Sequence, residues 1–414
     1  MKGFGLLKKK LTVIFLLALA LRLVWIATLD NTVDEWNEEG VKEAAWSIIQ
    51  GRGYSMPRSV SIYPGTEPLY SWREPGFTLF LVPVFFFFGE NYLVAKILLA
   101  ILGSLSAVLL YRIGQNTFNS TSIGMTSALV FGLLPESVFW SGYLARESFH
   151  VFMLMLPILF LTENFRNPSR WNLFLAGFFL GLAALTRAQT ILITPLLLIT
   201  FFLTQRDRTK AFRNTCFVFL IFMVTFSPWV IRNYAIHHRL VIIPTVTGEV
   251  FYIANNPAVV KKIDNHAGFF RSEDPSLFEG MSEVEVHNWY RHQAFEFIFA
   301  HPKDYVRLVV NRFFRFWRFY PHLGAGVADH TYGKVHLWVS LLTSGIIIML
   351  FVVGAFLSLK NWRQSLLLLT LVFSYSFLTI LGRVVIRYRF PIMPYITLFA
   401  IYGIYQLWLF RKRS

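Results

Sequence analysis

The sequence predicts an all-α polytopic membrane protein, and three observations carry that prediction: composition, the length of the apolar runs, and where the basic residues fall. Of 414 residues, 55% are hydrophobic, 17% aromatic and only 15% charged, where an average soluble domain is about a quarter charged. Forty-three phenylalanines could not be hidden in a soluble core of this size without leaving large apolar patches outside. Apolar runs dominate and no heptad persists, which excludes disorder and coiled coil. A net charge of +16 would suggest nucleic acid in a soluble protein. Here the basic residues sit at the ends of apolar runs, where they set orientation, and no nucleic-acid partner is expected. The single cysteine, Cys216, allows neither an intrachain disulfide nor a cysteine-based metal cluster.

A bilayer core about 30 Å thick takes roughly 20 helical residues to cross. Runs of that kind cover 11–29, 91–113, 121–140, 148–162, 171–186, 189–204, 213–231, 336–358, 364–382 and 390–410, giving about ten transmembrane helices. The piece from Gly76 to Phe88 is too short for a comfortable span and is expected to be re-entrant or interfacial. The positive-inside rule supports that choice. With Lys2, Lys8, Lys9 and Lys10 cytoplasmic, Arg112, Arg166, Arg170, Arg206, Arg208, Lys210, Arg213, Lys360, Arg363 and Arg411–Arg413 fall on the same side. Counting 76–88 as a span would invert every later loop. The first segment resembles a secretory signal, but its length, Arg22 and the lack of a small-x-small site before Asp30 favour an uncleaved helix.

Both termini are then cytoplasmic and two helical loops exoplasmic, in three parts. Residues 1–231 form an N-terminal transmembrane catalytic module, including exoplasmic loop 30–75 and segment 76–88. Residues 232–335 form an exoplasmic helical domain, and 336–414 a C-terminal transmembrane module.

The first loop opens with Asp34-Glu35, followed by Glu38 and Glu39. Val41, Ala45, Ile48 and Ile49 then mark one face of an amphipathic helix ended by Gly51 and Gly53. Such a helix should lie on the membrane and hold Asp34 and Glu35 at headgroup level. Glu38 and Glu39 are explained by a helix dipole; Asp34 and Glu35, outside the helix and beside lipid, are less so. Arg73 and Glu74 close the loop. Glu147 lies at the exoplasmic end of the third and fourth spans, with Arg146 beside it as a plain ion-pair alternative. Arg187 tips an otherwise apolar hairpin. Arg383, Arg387 and Arg389 break the positive-inside rule, and a phosphate, which the guanidinium fork matches, is the natural reason. Within spans, Arg22 and Lys96 are costly charges, although Lys96 is near enough to its span's end to snorkel and Arg22 has a structural pair as its alternative.

No His-x-x-x-His stands on a helix, and no serine-nucleophile elbow, P-loop or dinucleotide fingerprint occurs. In the second loop, Ser282-Glu-Val-Glu285 reads as a capping box, and His301-Pro302 starts another helix. In that helix Val306, Val309, Val310, Phe313, Phe314 and Trp317 form one apolar stripe, with Arg307, Arg312, Arg315 and Arg318 on other faces. Lipid contact and packing against the bundle are equal readings of it.

These residues, in this order, resemble the GT-C superfamily of membrane glycosyltransferases. The likeness is to the protein mannosyltransferase-like group (glycosyltransferase family 39), which includes aminoarabinose transferases of lipid A. It rests on Asp34-Glu35 with Ala44-Ala45 and Gly51-Arg-Gly-Tyr54, on Glu147, and on Gly181-Leu-Ala-Ala-Leu-Thr-Arg187. Ser227-Pro-Trp-Val-Ile-Arg-Asn233 with Ala254-Asn-Asn-Pro257 and Arg387-Tyr-Arg-Phe-Pro391 complete the set. The residues after Asp34-Glu35 depart from those of some relatives, which leaves the choice between the two acids open.

The resemblance implies a GT-C-like bundle and inverting transfer of a sugar from a polyprenyl-phosphate donor to a hydroxyl acceptor (lipid, polysaccharide or protein) at the exoplasmic face. One base suffices for such a displacement. Asp34 is the expected base, with Glu35 and Glu147 orienting acceptor or base. Arg387 and Arg389 are expected on the donor phosphate, with Arg187 and Lys96 as further candidates. No metal ligand set is expected, and a divalent cation bridging carboxylate and phosphate stays open. The rival class, a polyprenyl-glycan transporter or flippase, predicts polar residues strung through the bundle and related halves; the charges concentrate on one face instead.

Overall fold

The computed structural model describes residues 2–31, 40–60, 67–261, 275–320, 326–327, 330–331 and 333–413. Asp34, Glu35, Glu38 and Glu39 lie outside the described residues. The chain is a succession of helices: α1 (Lys2–Ala27), α2 (Val41–Ile49), α3 (Pro75–Phe88), α4 (Tyr92–Phe118), α5 (Thr121–Leu133), α6 (Pro135–Phe139), α7 (Arg146–Arg166), α8 (Arg170–Thr186), α9 (Ala188–Thr204) and α10 (Arg208–His237). The long loop holds α11 (Val246–Ala254), α12 (Pro257–Lys261), α13 (Glu283–Ala300) and α14 (Pro302–Phe316). After a two-residue antiparallel ribbon, Gly326–Val327 against His330–Thr331, the chain ends with α15 (Lys334–Ser340), a π-helical turn (Leu341–Gly345), α16 (Ile346–Ser358), α17 (Trp362–Leu381) and α18 (Met393–Arg413).

The ten apolar runs of the sequence are all helical. Among the described residues six helical stretches are long and apolar enough to cross a membrane, or seven if α5 and α6, bent by 56°, count as one broken span. The remaining difference has two sources. α8 and α9 have 17 residues each, the lower limit for a span. Lys334–Leu381 counts as one stretch of 48 residues; straight, it would run about 72 Å, and the 3₁₀ turn Leu359–Asn361 divides it. Large apolar side chains such as Val24, Phe212, Val224, Val352 and Phe356 face outward, as lipid-facing side chains do. The protein is a multi-pass integral membrane protein.

Lipid supplies no hydrophobic drive between helices, so close backbone approach matters. Gly177 and Gly181 put one side of α8 directly on α10, where an added Cβ would lie 2.6 Å from the Val218 carbonyl oxygen or from the Thr225 Cβ. α16 and α18 meet in the same way at Gly354 and Gly403, where a Cβ on Gly354 would overlap the Phe399 carbonyl.

α3 starts and ends at one end of the bundle. Glu74, before it, pairs with Arg146 at the start of α7, and Glu90, after it, pairs with Lys42 of α2 at 3.0 Å. α2 lies along α3, burying Val41, Ala44 and Ala45, and turns away at Gly51 and Gly53, whose φ of 77° and 75° favour glycine.

The two loops lock together around Glu283. Its Oε1 accepts the N–H groups of Tyr70 (3.1 Å) and Ser71 (2.9 Å) and lies 3.0 Å from His237 Nε2, while Oε2 accepts from the Thr245 hydroxyl at 3.3 Å. Arg232 adds donations to the carbonyls of Tyr70 and Tyr54 and to Asn233 Oδ1.

Arg22 resolves as structural. Fully buried, it donates to Ser141, to Ser137 and to the carbonyls of Ala18 and Gly132. It thereby satisfies backbone that the α5–α6 break leaves open, which is how a broken span survives in lipid.

Candidate active site

Glu147 stands in the first turn of α7, after Ala145 in extended conformation at the N-cap, where the helix dipole favours an acidic side chain. It is 1% exposed. Adjacent residues on a helix do not face each other, and Arg146 turns to Glu74 instead, with 2.6 Å between Nη1 and Oε2. The other Glu74 oxygen accepts the Ala188 N–H at 2.8 Å, one of the open donors at the start of α9. Burial alone pushes the Glu74 carboxyl up, but the Arg146 guanidinium and the Ala188 N–H hold it below the ordinary carboxylate range. Glu74 thus ties the entry of α3 to α7 and to the α8–α9 hairpin and takes up the charge of Arg146.

That hairpin turns on one residue. Thr186 ends α8, Ala188 begins α9, and Arg187 between them is extended. Gly76 lets α3 approach it, since a Cβ there would sit 2.7 Å from the Leu185 carbonyl. Arg187 is thereby aimed at Glu147, with Nη1 4.0 Å from Oε1. From the far end of the chain, the 3₁₀ segment Ile386–Ile392 brings Arg387 to the same oxygen, Nε at 3.8 Å. The Tyr388 ring lies under both guanidiniums, 4.8 Å from that of Arg187 and 5.3 Å from that of Arg387, a contact that offsets part of their mutual repulsion.

His150 follows Glu147 by three residues, on the same face of α7. Its Nδ1 bonds the Thr186 hydroxyl, which itself donates to the Ala183 carbonyl at 2.7 Å. A hydroxyl has one hydrogen, so Nδ1 must donate and Nε2 is left as an acceptor. Among the described residues Nε2 has no hydrogen-bond partner. The same holds for Glu147 Oε2 and Arg187 Nη1, for Ser148 Oγ, Gln189 Oε1 and Thr190 Oγ1 beside them in the chain, and for Tyr375 Oη. Buried polar groups are normally satisfied, so this group of unmet ones at the end of an apolar bundle is the candidate place for a polar ligand.

The structure therefore brings together Glu147, Arg187 and Arg387, which are far apart in sequence. It does not bring Arg389 with them. Residues two apart in a 3₁₀ helix point about 120° apart, and Arg389, 1% exposed, donates to the carbonyls of Phe316 and Arg318, both at 2.7 Å. Lys96 is also buried, donating to the Asp30 carbonyl (3.3 Å) and Asn31 Oδ1 (3.1 Å). It holds the last described residues before Asp34. Asp34 and Glu35 themselves lie outside the described residues. His150, Tyr388 and Glu74 carry no expected site role from the sequence; the Glu-x-x-His spacing and the Arg-Tyr-Arg triplet are their available signals. Among the described residues, no three His, Cys, Asp or Glu side chains gather to hold a metal ion.

Residues 73–231 match the family model described as dolichyl-phosphate-mannose-protein mannosyltransferase, a stretch that includes Glu74, Glu147 and Arg187. The fold is similar to the archaeal oligosaccharyltransferase AglB from Archaeoglobus fulgidus, solved in complex with an inhibitory peptide and a dolichol-phosphate. That likeness has a TM-score of 0.61 at 14% identity, over 98% of this chain and 51% of that one. It is also similar to ArnT from Cupriavidus metallidurans in the apo state, with a TM-score of 0.56 at 12% identity over 98% of this chain and 60% of the other. The chain has the GT-C fold. It spans about half the length of AglB. A search of curated proteins found no match. The GT-C bundle that the sequence resemblance implied is the bundle observed.

Proposed function

We propose that this GT-C protein is an inverting glycosyltransferase that moves a sugar from a polyprenyl-phosphate donor to a hydroxyl acceptor at the exoplasmic face. The observation that carries this reading is a buried carboxylate with two guanidiniums within 4.0 Å, set among unmet hydrogen-bonding groups at one end of a membrane bundle. The mannosyltransferase family match over 73–231 supports it, as does the fold shared with an oligosaccharyltransferase solved in complex with an inhibitory peptide and a dolichol-phosphate.

In the proposed reaction the acceptor hydroxyl gives its proton to a carboxylate as its oxygen bonds the anomeric carbon. The bond from that carbon to the phosphate oxygen breaks, and the phosphate leaves with the electron pair. Asp34 is assigned as the base, with Glu35 and Glu147 orienting acceptor or base. Arg387 and Arg187 stabilise the charge that grows on the leaving phosphate, the kind of preorganised contact that carries most of such a rate enhancement. Arg389 supports the segment that carries Arg387, and Lys96 the start of the first loop.

A screen of purified protein in lipid against polyprenyl-phosphate sugars tests the activity. Transfer that depends on Glu147 is expected, and the absence of donor binding across the screen refutes the reading. Sidedness is tested in a Cys216→Ser background: Ser59→Cys and Ser276→Cys should react with an impermeant thiol reagent from the exoplasmic side, and Ser169→Cys should not. The reverse pattern places the site in the cytoplasm.

A further inference from the structure

α14 is amphipathic in an unexpected sense. Its inward face carries Arg312, with Leu308 and Phe316. Arg312 donates to Asn255 Oδ1 at 2.9 Å, to the Leu381 carbonyl at 3.2 Å and to the Ala254 carbonyl. Its outward face is apolar: Val306, Val310, Phe313 and Phe314 are 47–69% exposed, and Phe299, at the end of α13, is 79% exposed. A helix facing water would be built the other way round.

The C-terminal end of α14 reaches the depth of the membrane helices. Trp317 stacks on Phe351 of α16, with ring centroids 5.8 Å apart, and Arg389 takes the carbonyl of Phe316. Beside Phe351, Met349 and Val352 are exposed and belong to the outward apolar surface of the spanning helices. The apolar face of α14 therefore continues a surface that lipid already covers. Toward the other end, Lys303 and Arg307 are exposed, and an amphipathic helix lying in an interface carries its cations at headgroup height.

We propose that α14 lies in the exoplasmic leaflet with Val306, Val310, Phe313 and Phe314 in the acyl region, and that Lys303 and Arg307 recruit acidic phospholipid headgroups. The surface is a lipid-binding site separate from the Glu147 cluster, and its occupancy does not depend on the reaction proposed above.

The test uses the full chain with Cys216→Ser, reconstituted in vesicles of equal phosphatidylglycerol and phosphatidylcholine. Nitroxide labels are placed singly at Phe314→Cys, at Val352→Cys as the lipid reference and at Ser276→Cys as the water reference. Phe314→Cys should collide with oxygen more than with a water-soluble nickel complex, as Val352→Cys does. A label at 314 that matches 276, or one shielded from both reagents because a second protein copy covers it, overturns the proposal. In the second arm, lipids retained on the purified protein are counted by mass spectrometry. Lys303→Gln and Arg307→Gln should each lower the enrichment of phosphatidylglycerol about fivefold; unchanged enrichment in the double variant overturns the headgroup assignment.

Discussion

Two buried carboxylates sit at the same end of this bundle, and their surroundings differ in kind. Glu283 has both oxygens engaged, by two backbone N–H groups, an imidazole and a hydroxyl. Among the described residues Glu147 makes no hydrogen bond: one oxygen has two guanidiniums at 3.8 and 4.0 Å and the other has no partner. Leaving one buried polar group unsatisfied costs about 1–3 kcal/mol, and Arg187 and Tyr375, which interact with Glu147, each leave one as well. A fold tolerates that where a ligand completes the set. The arginines divide in the same way. Arg22, Arg312 and Arg389 donate to backbone carbonyls that breaks and helix ends leave open; among the described residues Arg187 meets a carboxylate at the edge of reach and a tyrosine ring. Burial alone does not separate function from scaffold in this chain. On the proposed reading, the state of hydrogen-bond satisfaction around these two carboxylates does.

The largest effect is expected at the base. Asp34→Asn keeps the shape and removes the proton acceptor, so transfer should fall about 10³-fold, with Glu35→Gln less affected, as read by product formation from labelled donor. Near-normal turnover in Asp34→Asn moves the base to Glu35. Next come the arginines, where the comparison predicts opposite outcomes two residues apart. Arg387→Ala should raise the apparent donor constant at least about tenfold, since a buried charge-assisted contact is worth about 2–5 kcal/mol, while the thermal midpoint holds. Arg389→Ala should lower the midpoint, because it strands two carbonyls, and should leave the donor constant of the surviving folded fraction unaltered. An unaltered donor constant in Arg387→Ala would mean that it only anchors the last helix. The smallest effect is expected at Tyr388. Tyr388→Leu removes a cation–π surface worth about 0.5–2 kcal/mol, so the donor constant should rise a few-fold and Tyr388→Phe should restore most of it.

Much of the fold was legible because its signals are local. The apolar runs became helices; Ser282 and Glu285 form the capping box that their spacing announced; Pro302 begins α14. The site was legible only in parts. Glu147 and Arg187 could be picked out as charges at ends of apolar segments, but their convergence with Arg387 is a tertiary fact across more than two hundred residues. The neighbour of Glu147 in sequence, Arg146, was the wrong partner to weigh, since the helix turns it to Glu74. Arg389 shares the motif of Arg387 but not its direction, because a 3₁₀ turn intervenes. The stripe on α14 was readable and its direction was not, because what lies inside is an arginine satisfied by Ala254, Asn255 and Leu381.

The central claim is that unmet hydrogen bonding marks the working carboxylate, and one paired measurement tests it most directly. Glu147→Gln and Glu283→Gln are each assayed for donor-dependent transfer and for thermal midpoint in the same lipid. Glu147→Gln should lose transfer and lower its midpoint less than Glu283→Gln does, because no hydrogen bond is lost although Arg187 and Arg387 give up their counter-charge. Glu283→Gln should lower the midpoint, by the several kcal/mol that breaking a satisfied buried network costs (about 3–5 kcal/mol). If Glu147→Gln turns over normally, or unfolds as Glu283→Gln does, then Glu147 is a structural residue and the account is wrong.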